Sequence, residues 1–316
     1  MTKDLKIIFF GSSTFAVKVL EALLGAGFNV NCVVSQADKK AGRHLKLQAT
    51  PVKVFAENKG LEVLCPQDLK DSLFLEKLAS ISPDIFIVVS YGKILPRSLL
   101  SLPRFFAINI HASLLPKYRG AAPIARAIMN GESITGITII RMDEKMDEGD
   151  IISQAKIAID MADNALTLES KLSKLACQQI LEVLNSLRNN KISFSKQDSS
   201  GASIAEKLTR QDALIDWKKD ASSIYNQIRG VLPWPVAFTY FKGKRIKIFS
   251  AKIAPYEISQ NAKPGEIISL KEGLIFVATL KGVLSLEILQ PENAKRISAS
   301  EFISGYHLQT GDFFTS

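Results

Sequence analysis

Three polar side chains fall at alternate positions where an apolar run ends: Asn109, His111 and Ser113, within FFAINIHASLLPKYRG at 105–120. In an extended chain, side chains two apart project from one face about 6.6 Å apart, so these three form a row while Ile108, Ile110 and Ala112 face the opposite layer. A lone histidine at a strand end is most simply a hydrogen-bonded structural group. Flanked by Asn109 and Ser113, and followed by Pro116 and Gly120, which shape an irregular loop, it reads as part of a site. A second polar loop, MDEKMDEGD at 142–150, carries Asp143, Glu144, Asp147, Glu148 and Asp150. Most of these belong in a solvated turn, because charges are rarely buried without partners. The loop lacks EF-hand spacing and has no His or Cys beside it, so no metal is expected. If it folds over the same edge, one of its carboxylates pairs with His111. Asn, His and a carboxylate together suit acyl transfer to an amine: an amide donor meets oxygen developing negative charge, an imidazolium does the same or supplies a proton, and a carboxylate helps move the amine proton.

The elements that must position this row follow from the hydrophobic pattern. LKIIFF at 5–10 is a short apolar run stopped by Gly11, and TFAVKVLEALLGAG after it has helical spacing. NVNCVVS (29–35), LEVLC (61–65), DIFIVVSY (84–91) and FFAINIHA (105–112) are strand-like, with helical segments such as ATPVKVFAENKG between several of them. Alternation of this kind predicts an α/β fold with a doubly wound, mainly parallel sheet, in which ligands bind beyond the carboxyl ends of the strands. ITGITIIRM (134–142) and IISQAKIAI (151–159) extend the sheet, and Leu168, Leu172, Leu175, Leu181 and Leu184 form the inward stripe of a helix ending near Asn190. At 189–205 the composition turns to Ser, Asn and Lys without periodicity, which predicts a linker between a domain at 1–188 and one at 206–316. Beyond it, a helix within IDWKKDASSIYNQIRGV and short, evenly spaced runs (AFTYFKG, KRIKIFSAKI, GEIISLKEG, LIFVATL, GVLSLEIL) predict a smaller C-terminal β-barrel.

Composition and missing motifs narrow the chemistry. The first turn, GSSTF, supplies neither a dinucleotide fingerprint nor a P-loop. The three cysteines, Cys32, Cys65 and Cys177, lack Cys-x-x-Cys spacing and fit a reducing compartment. No apolar run has membrane-spanning length, so a soluble, cytoplasmic protein is expected. Forty basic against 31 acidic residues leave a formal charge of +9, and two clusters concentrate it: DKKAGRHLK at 38–46 and KGKRIKIFSAK at 242–252. Such clusters suit an anionic polymer.

NIHASLLPKYRGAAPI followed by MDEKMDEGDI resembles the 10-formyltetrahydrofolate-dependent formyltransferases, and the likeness spans nearly the whole chain, from KIIFFGSSTFAVKVLEAL through VVSYGKILP, AEKLTRQDALIDW and LPWPVAF to the final barrel. The resemblance implies a Rossmann-like formyltransferase domain followed by an OB-like barrel. It implies 10-formyltetrahydrofolate as formyl donor and, from the Gly42-Arg43 loop and the basic barrel, initiator methionyl-tRNA as acceptor, with one tRNA per chain and a monomer. Carried over residue by residue, the catalytic group is Asn109, His111 and Asp147. Ser113, Leu114, Leu115 and Pro116 match the folate-binding stretch, with the backbone at Val88, Ser90, Tyr91 and Gly92 flanking the pterin. Arg43, with Lys39, Lys40 and Lys46, falls in the insertion that meets the tRNA acceptor stem, and Lys242, Lys244, Arg245 and Lys247 would hold the tRNA farther away. The sequence departs from the family pattern at Ser13 and Ala37, where proline is usual, and Ala112 occupies a position that varies between small residues and proline.

Overall fold

The computed structural model describes residues 5–41, 46–256 and 262–316. Contacts gather them into two compact units. The first takes the chain up to Pro123 together with Ile134–Ala158 and Glu169–Ala205; the second takes Ile124–Ser133, Ile159–Leu168 and Glu206–Ser316.

The first unit is built on seven strands: β1 (Ile7–Gly11), β2 (Val30–Val34), β3 (Val63–Leu64), β4 (Ile85–Val89), β5 (Phe106–His111), β6 (Ile134–Arg141) and β7 (Ile151–Ala158). Their order is β3-β2-β1-β4-β5-β6-β7, parallel from β3 to β5 and antiparallel for the last two pairings. Every residue of β1 and β4 is buried, as strands covered on both faces must be. Helices α1 (Thr14–Gly25), α2 (Pro51–Asn58) and α3 (Ser72–Ser80) are the crossovers. Each starts on a side-chain cap: Ser13, Thr50 and Asp71 accept from the backbone N–H of Ala16, Lys53 and Phe74. The chain order reverses between β1 and β4, the kind of switch point beside which α/β sheets hold ligands.

A short helix, α4 (Pro123–Met129), and the long α5 (Ala165–Arg188) complete the N-terminal half. The inward stripe of α5 runs through Leu168, Leu172, Ala176, Ile180, Leu184 and Leu187. Leu175 and Leu181, expected in that stripe, are half-buried on its flank because positions four apart track the helix face more closely. Segment 189–205, expected as a linker, is tied to the first unit: Ser195 exchanges backbone hydrogen bonds with Ile151, and Ile204–Ala205 pairs in parallel with Arg119–Gly120.

The second unit has α6 (Ala221–Gly230), β8 (Phe238–Phe241), β9 (Lys244–Ala254), β10 (Ile267–Lys271), β11 (Leu274–Ala278), β12 (Val283–Pro291), β13 (Ile297–Ser298), α7 (Ala299–Tyr306) and β14 (Phe314–Thr315). The antiparallel order is β10-β11-β12-β9-β8-β14, with β13 on β12. The two ends of that order approach each other, since Phe314 N–H donates to Gly265 O and Ile267 N–H to Asp312 O, both at 2.8 Å. The sheet is thus curled nearly shut around Trp217, Ile246, Ile248, Val277, Leu286, Phe302 and Phe314. Trp217 stacks on Phe314 and donates its indole N–H to Thr239 Oγ1 at 2.9 Å, so the largest core residue is satisfied. Helix α7 begins with a capping box between Ser298 and Glu301, a Ser-x-x-Glu signature that sequence reading passed over.

The three cysteines are free thiols, and burial pushes that of Cys32 up to about 12. Among the described residues no helix is long and apolar enough to cross a membrane.

The barrel's closure rests on Gly265, whose φ is +88° and where a Cβ would stand 2.3 Å from Phe314 O. Gly265→Ala is expected to destabilise the protein by at least about 2 kcal/mol, seen as a lower urea midpoint. Gly305→Ala, inside α7 with nothing within 4 Å of the new methyl, should be neutral or stabilising.

Candidate active site at the carboxyl end of the sheet

β4 and β5 run in register, Val88 beside Asn109, and both end at the same edge. β6 returns antiparallel along β5, with His111 opposite Thr138. It leads into the acidic loop, which comes back over that edge. Asp147 is the carboxylate that arrives. Its Oδ1 accepts from Asn109 Nδ2 at 3.0 Å, its Oδ2 accepts from Gly120 N–H at 2.8 Å, and His111 Nδ1 lies 3.5 Å from Oδ2. His111 is 5% exposed, and its Nε2 stands 2.8 Å from Tyr118 O. A carbonyl only accepts, so Nε2 carries a proton; a second proton on Nδ1 makes the ring a cation set against Asp147. Asn109 and His111 thus share a face, as their spacing predicts. Ser113 does not continue the row: β5 ends at His111, and the fully buried Ser113 hydroxyl donates to Lys117 O at 2.6 Å within the loop.

The loop after β5 is held by two residues that sequence reading missed. Thr138 Oγ1, wholly buried on β6, donates to Ser113 O at 2.6 Å and accepts from Leu115 N–H at 3.0 Å. Gln154 Nε2 on β7 donates to Leu115 O at 2.7 Å and to Thr138 Oγ1 at 3.0 Å. The acidic loop is held in turn by Arg119 and Gln197. Thr138, Gln154 and Gln197 carry no motif, and Arg119, although inside the 105–120 stretch, has no spacing that marks its role; each is found only through contacts distant in sequence.

The turn after β4 alternates. Val88 and Tyr91 are buried in the apolar core, so only their backbone can meet a ligand, while Ser90 and Gly92, both at positive φ, face outward. In the next stretch, Leu115 is buried and Leu114 and Pro116 are half-buried. A cleft of about 720 Å³ opens beyond Gly92, lined by Gln67–Lys70, Lys93–Ser98 and Glu144 of the acidic loop. Lys93 Nζ donates to Pro66 O and Gln67 O, closing one wall, and Lys70 and Arg97 add positive charge. Among the described residues, no group of three or more His, Cys, Asp or Glu is gathered as a metal site.

Arg43 lies outside the described residues. Lys40 and Lys46 belong to a short antiparallel hairpin, Lys39–Ala41 with Lys46–Gln48. Lys39 Nζ donates to Gln36 Oε1, and Gln36 Nε2 donates to Tyr91 O, which ties the start of this basic insertion to the turn after β4. In the second unit, Arg245 and Lys247 pair across from Tyr240 and Phe238, on the face of β9 opposite the buried Ile246 and Ile248. Lys242 and Lys244 sit at the hairpin that joins β8 to β9. Two of these charges are partly neutralised, Lys242 by Asp312 at 3.8 Å and Arg245 by Glu292 at 3.4 Å.

Thr138→Val keeps shape but removes three hydrogen bonds at a fully buried point. Leaving Ser113 O and Leu115 N–H unpaired is expected to cost about 2–4 kcal/mol in urea unfolding. By contrast Tyr91→Phe should be neutral or stabilising, because the buried Tyr91 hydroxyl has no hydrogen-bond partner among the described residues.

Comparison with known proteins agrees with this architecture. A formyl transferase model matches residues 5–184, and a formyl transferase C-terminal domain model matches 207–307. Methionyl-tRNA formyltransferase of Thermodesulfovibrio yellowstonii is 43% identical over 305 residues, 96% of this chain and 97% of the relative. That of Caldicellulosiruptor saccharolyticus is 41% identical over 311 residues, 98% and 99% of the two chains. Among solved structures, the N-formyltransferase of Helicobacter canadensis in complex with folinic acid and dTDP-3-aminofucose shares the fold at TM-score 0.67 and 21% identity, over 93% of this chain and 100% of that one. HypX of Aquifex aeolicus in complex with tetrahydrofolic acid shares it at TM-score 0.67 and 15% identity, over 99% and 51%. With both domain models matched in order and full-length relatives at about two identical residues in five, the chain belongs to the formyl transferase family, among the methionyl-tRNA formyltransferases.

Proposed function

We propose that the protein transfers the formyl group of 10-formyltetrahydrofolate to the α-amine of methionine on initiator methionyl-tRNA. The observation that carries this reading is the meeting of Asn109, His111 and Asp147 at one strand edge, in a chain that matches methionyl-tRNA formyltransferases along nearly its whole length. In the reaction the amine nitrogen bonds to the formyl carbon, the carbonyl oxygen takes up negative charge, and the bond from that carbon to the folate nitrogen then breaks. A proton leaves the amine and one reaches the departing nitrogen. Asn109 spends one amide N–H on Asp147 and offers the other to the developing oxyanion. Asp147 takes the amine proton, and His111, held by Tyr118 O, supplies positive charge beside it.

The donor's pterin would lie against the outward backbone of Ser90 and Gly92 and the 113–116 loop, with its acidic tail toward Lys70 and Arg97 in the cleft. The working division is donor binding and catalysis in 1–188, a connecting stretch at 189–205, and tRNA binding in 206–316 together with Arg43, Lys39, Lys40 and Lys46. A cytoplasmic monomer suits one tRNA per chain.

His111→Ala is expected to lower single-turnover formyl transfer about 10²- to 10⁴-fold while the Kd for methionyl-tRNA stays unchanged. Full turnover in that variant would refute the mechanism, and transfer to a nucleotide-linked amino sugar in preference to charged tRNA would refute the acceptor. tRNA affinity should fall steeply with salt, and removing Lys247 should flatten the log–log slope by roughly 0.7–0.9. A wild-type slope near zero would take the basic clusters out of the interface.

A further inference from the structure

Asp147 sits in an unpromising place for a residue that must be held still. Its loop is acidic, residues 143–146 are exposed, and of its two methionines Met142 packs at the edge of the core while Met146, next to Asp147, is 51% exposed. Asp147 itself adopts φ +56°, a conformation that non-glycine residues enter at a cost. The neighbouring apolar side chain, Met146, is largely exposed, and the carboxylate's contacts to Asn109 and Gly120 act on the side chain alone.

The backbone is gripped from elsewhere. Gln197 Nε2 donates to Asp147 O and to Gly149 O, each at 2.8 Å, so both N–H groups of one amide bracket the turn. The amide's orientation is itself determined. Gln197 Oε1 accepts from Arg119 Nε at 3.2 Å and Nη2 at 2.8 Å, and a guanidinium only donates. Arg119 is 6% exposed, and its Nη1 reaches back to Glu148 Oε1 at 3.4 Å, so the chain of contacts closes on the loop it started from. Gly149 permits the tight return, since a Cβ there would stand 1.7 Å from Arg141 O. Gln197 is anchored on both sides by its own segment: Ser195 pairs with Ile151, Ser203 O accepts from Arg119 N–H at 2.8 Å, and Ser203 Oγ accepts from Tyr118 N–H at 2.9 Å. Tyr118 is the residue whose carbonyl holds His111.

We infer that Gln197 is a positioning residue for formyl transfer: it clasps the 147–149 backbone so that the Asp147 carboxylate stays in line with Asn109 and His111. This rests on the reading of Asp147 as the proton-handling carboxylate. It gives the 195–205 segment a role in turnover and not only in joining parts of the chain.

Gln197→Glu separates this role from folding. A glutamate still accepts from Arg119, but it opposes two carbonyls and cannot clasp them. The variant is expected to keep the wild-type Tm and the KM for the formyl donor, to lose about ten- to a hundredfold in kcat, and to show a displaced pH profile of kcat. In Asp147→Asn the same substitution should add little further loss, since two groups acting as a unit are not additive. Gln197→Met, which leaves Arg119 its contact with Glu148, should behave alike if the glutamate variant does not fold. Wild-type kcat and pH profile in either folded variant, or a loss that follows Tm in both, overturns the inference. Amide exchange of residues 143–150, read without substrate, should rise at least about tenfold in the variants, reflecting a lost local restraint; unchanged exchange overturns the clasp. If wild-type protein fails to formylate methionyl-tRNA, the proposed function falls, while the exchange result still judges the clasp by itself.

Discussion

A single carboxylate, Asp147, organises the candidate site. Its side chain is 11% exposed, and bringing a charge that far from water costs several kcal/mol unless partners replace the lost hydration. Asn109 Nδ2 and the Gly120 N–H donate to its two oxygens, and the His111 ring stands at ion-pair distance. Those three partners come from a strand end and the loop that follows it, while the carboxylate comes from a different crossing of the sheet. The site exists only where these two crossings meet.

The rest of the first unit can be understood as what keeps them there. β5 runs in register with the fully buried β4, Val88 beside Asn109, which places the end of β5 against the end of β4. The antiparallel return of β6 carries Thr138 to the loop after β5 and delivers the acidic loop to the same edge. The loop after β5 buries Leu115 and Tyr118 and the acidic loop half-buries Met142, and polar contacts add the rest. Each is held by side-chain amides or hydroxyls that hydrogen-bond its backbone: Thr138 and Gln154 for one, Gln197 for the other. Polar loops of this kind can present chemistry to solvent while staying rigid, because buried hydrogen bonds are costly to break.

The fold was legible because strands buried on both faces must be apolar and helices between them must show a spacing of three and four; IIFFG, IFIVV and the Leu168-based helix obey both rules. Asn109 and His111 were legible for the converse reason, as polar residues at alternate positions where an apolar strand ends. Choosing Asp147 from five acids took resemblance, since nothing local separates it from Asp143 or Glu148. Ser113 was misplaced because period-two reasoning ran past the point where β5 stops. Gln197 and Arg119 were illegible: they lie 50 and 28 positions from Asp147, and glutamine in a Ser- and Lys-rich stretch has no pattern that tells a clasp from a solvated surface.

The central claim is that negative charge at Asp147, and not merely the shape of its side chain, drives formyl transfer. Asp147→Asn preserves size and tolerates positive φ, and it removes the charge. Single-turnover transfer from 10-formyltetrahydrofolate to methionyl-tRNA, measured at saturating donor, should slow by about 10³-fold or more in this variant. A rate within about twofold of wild type, less than about 0.5 kcal/mol in the activation barrier, would contradict the account.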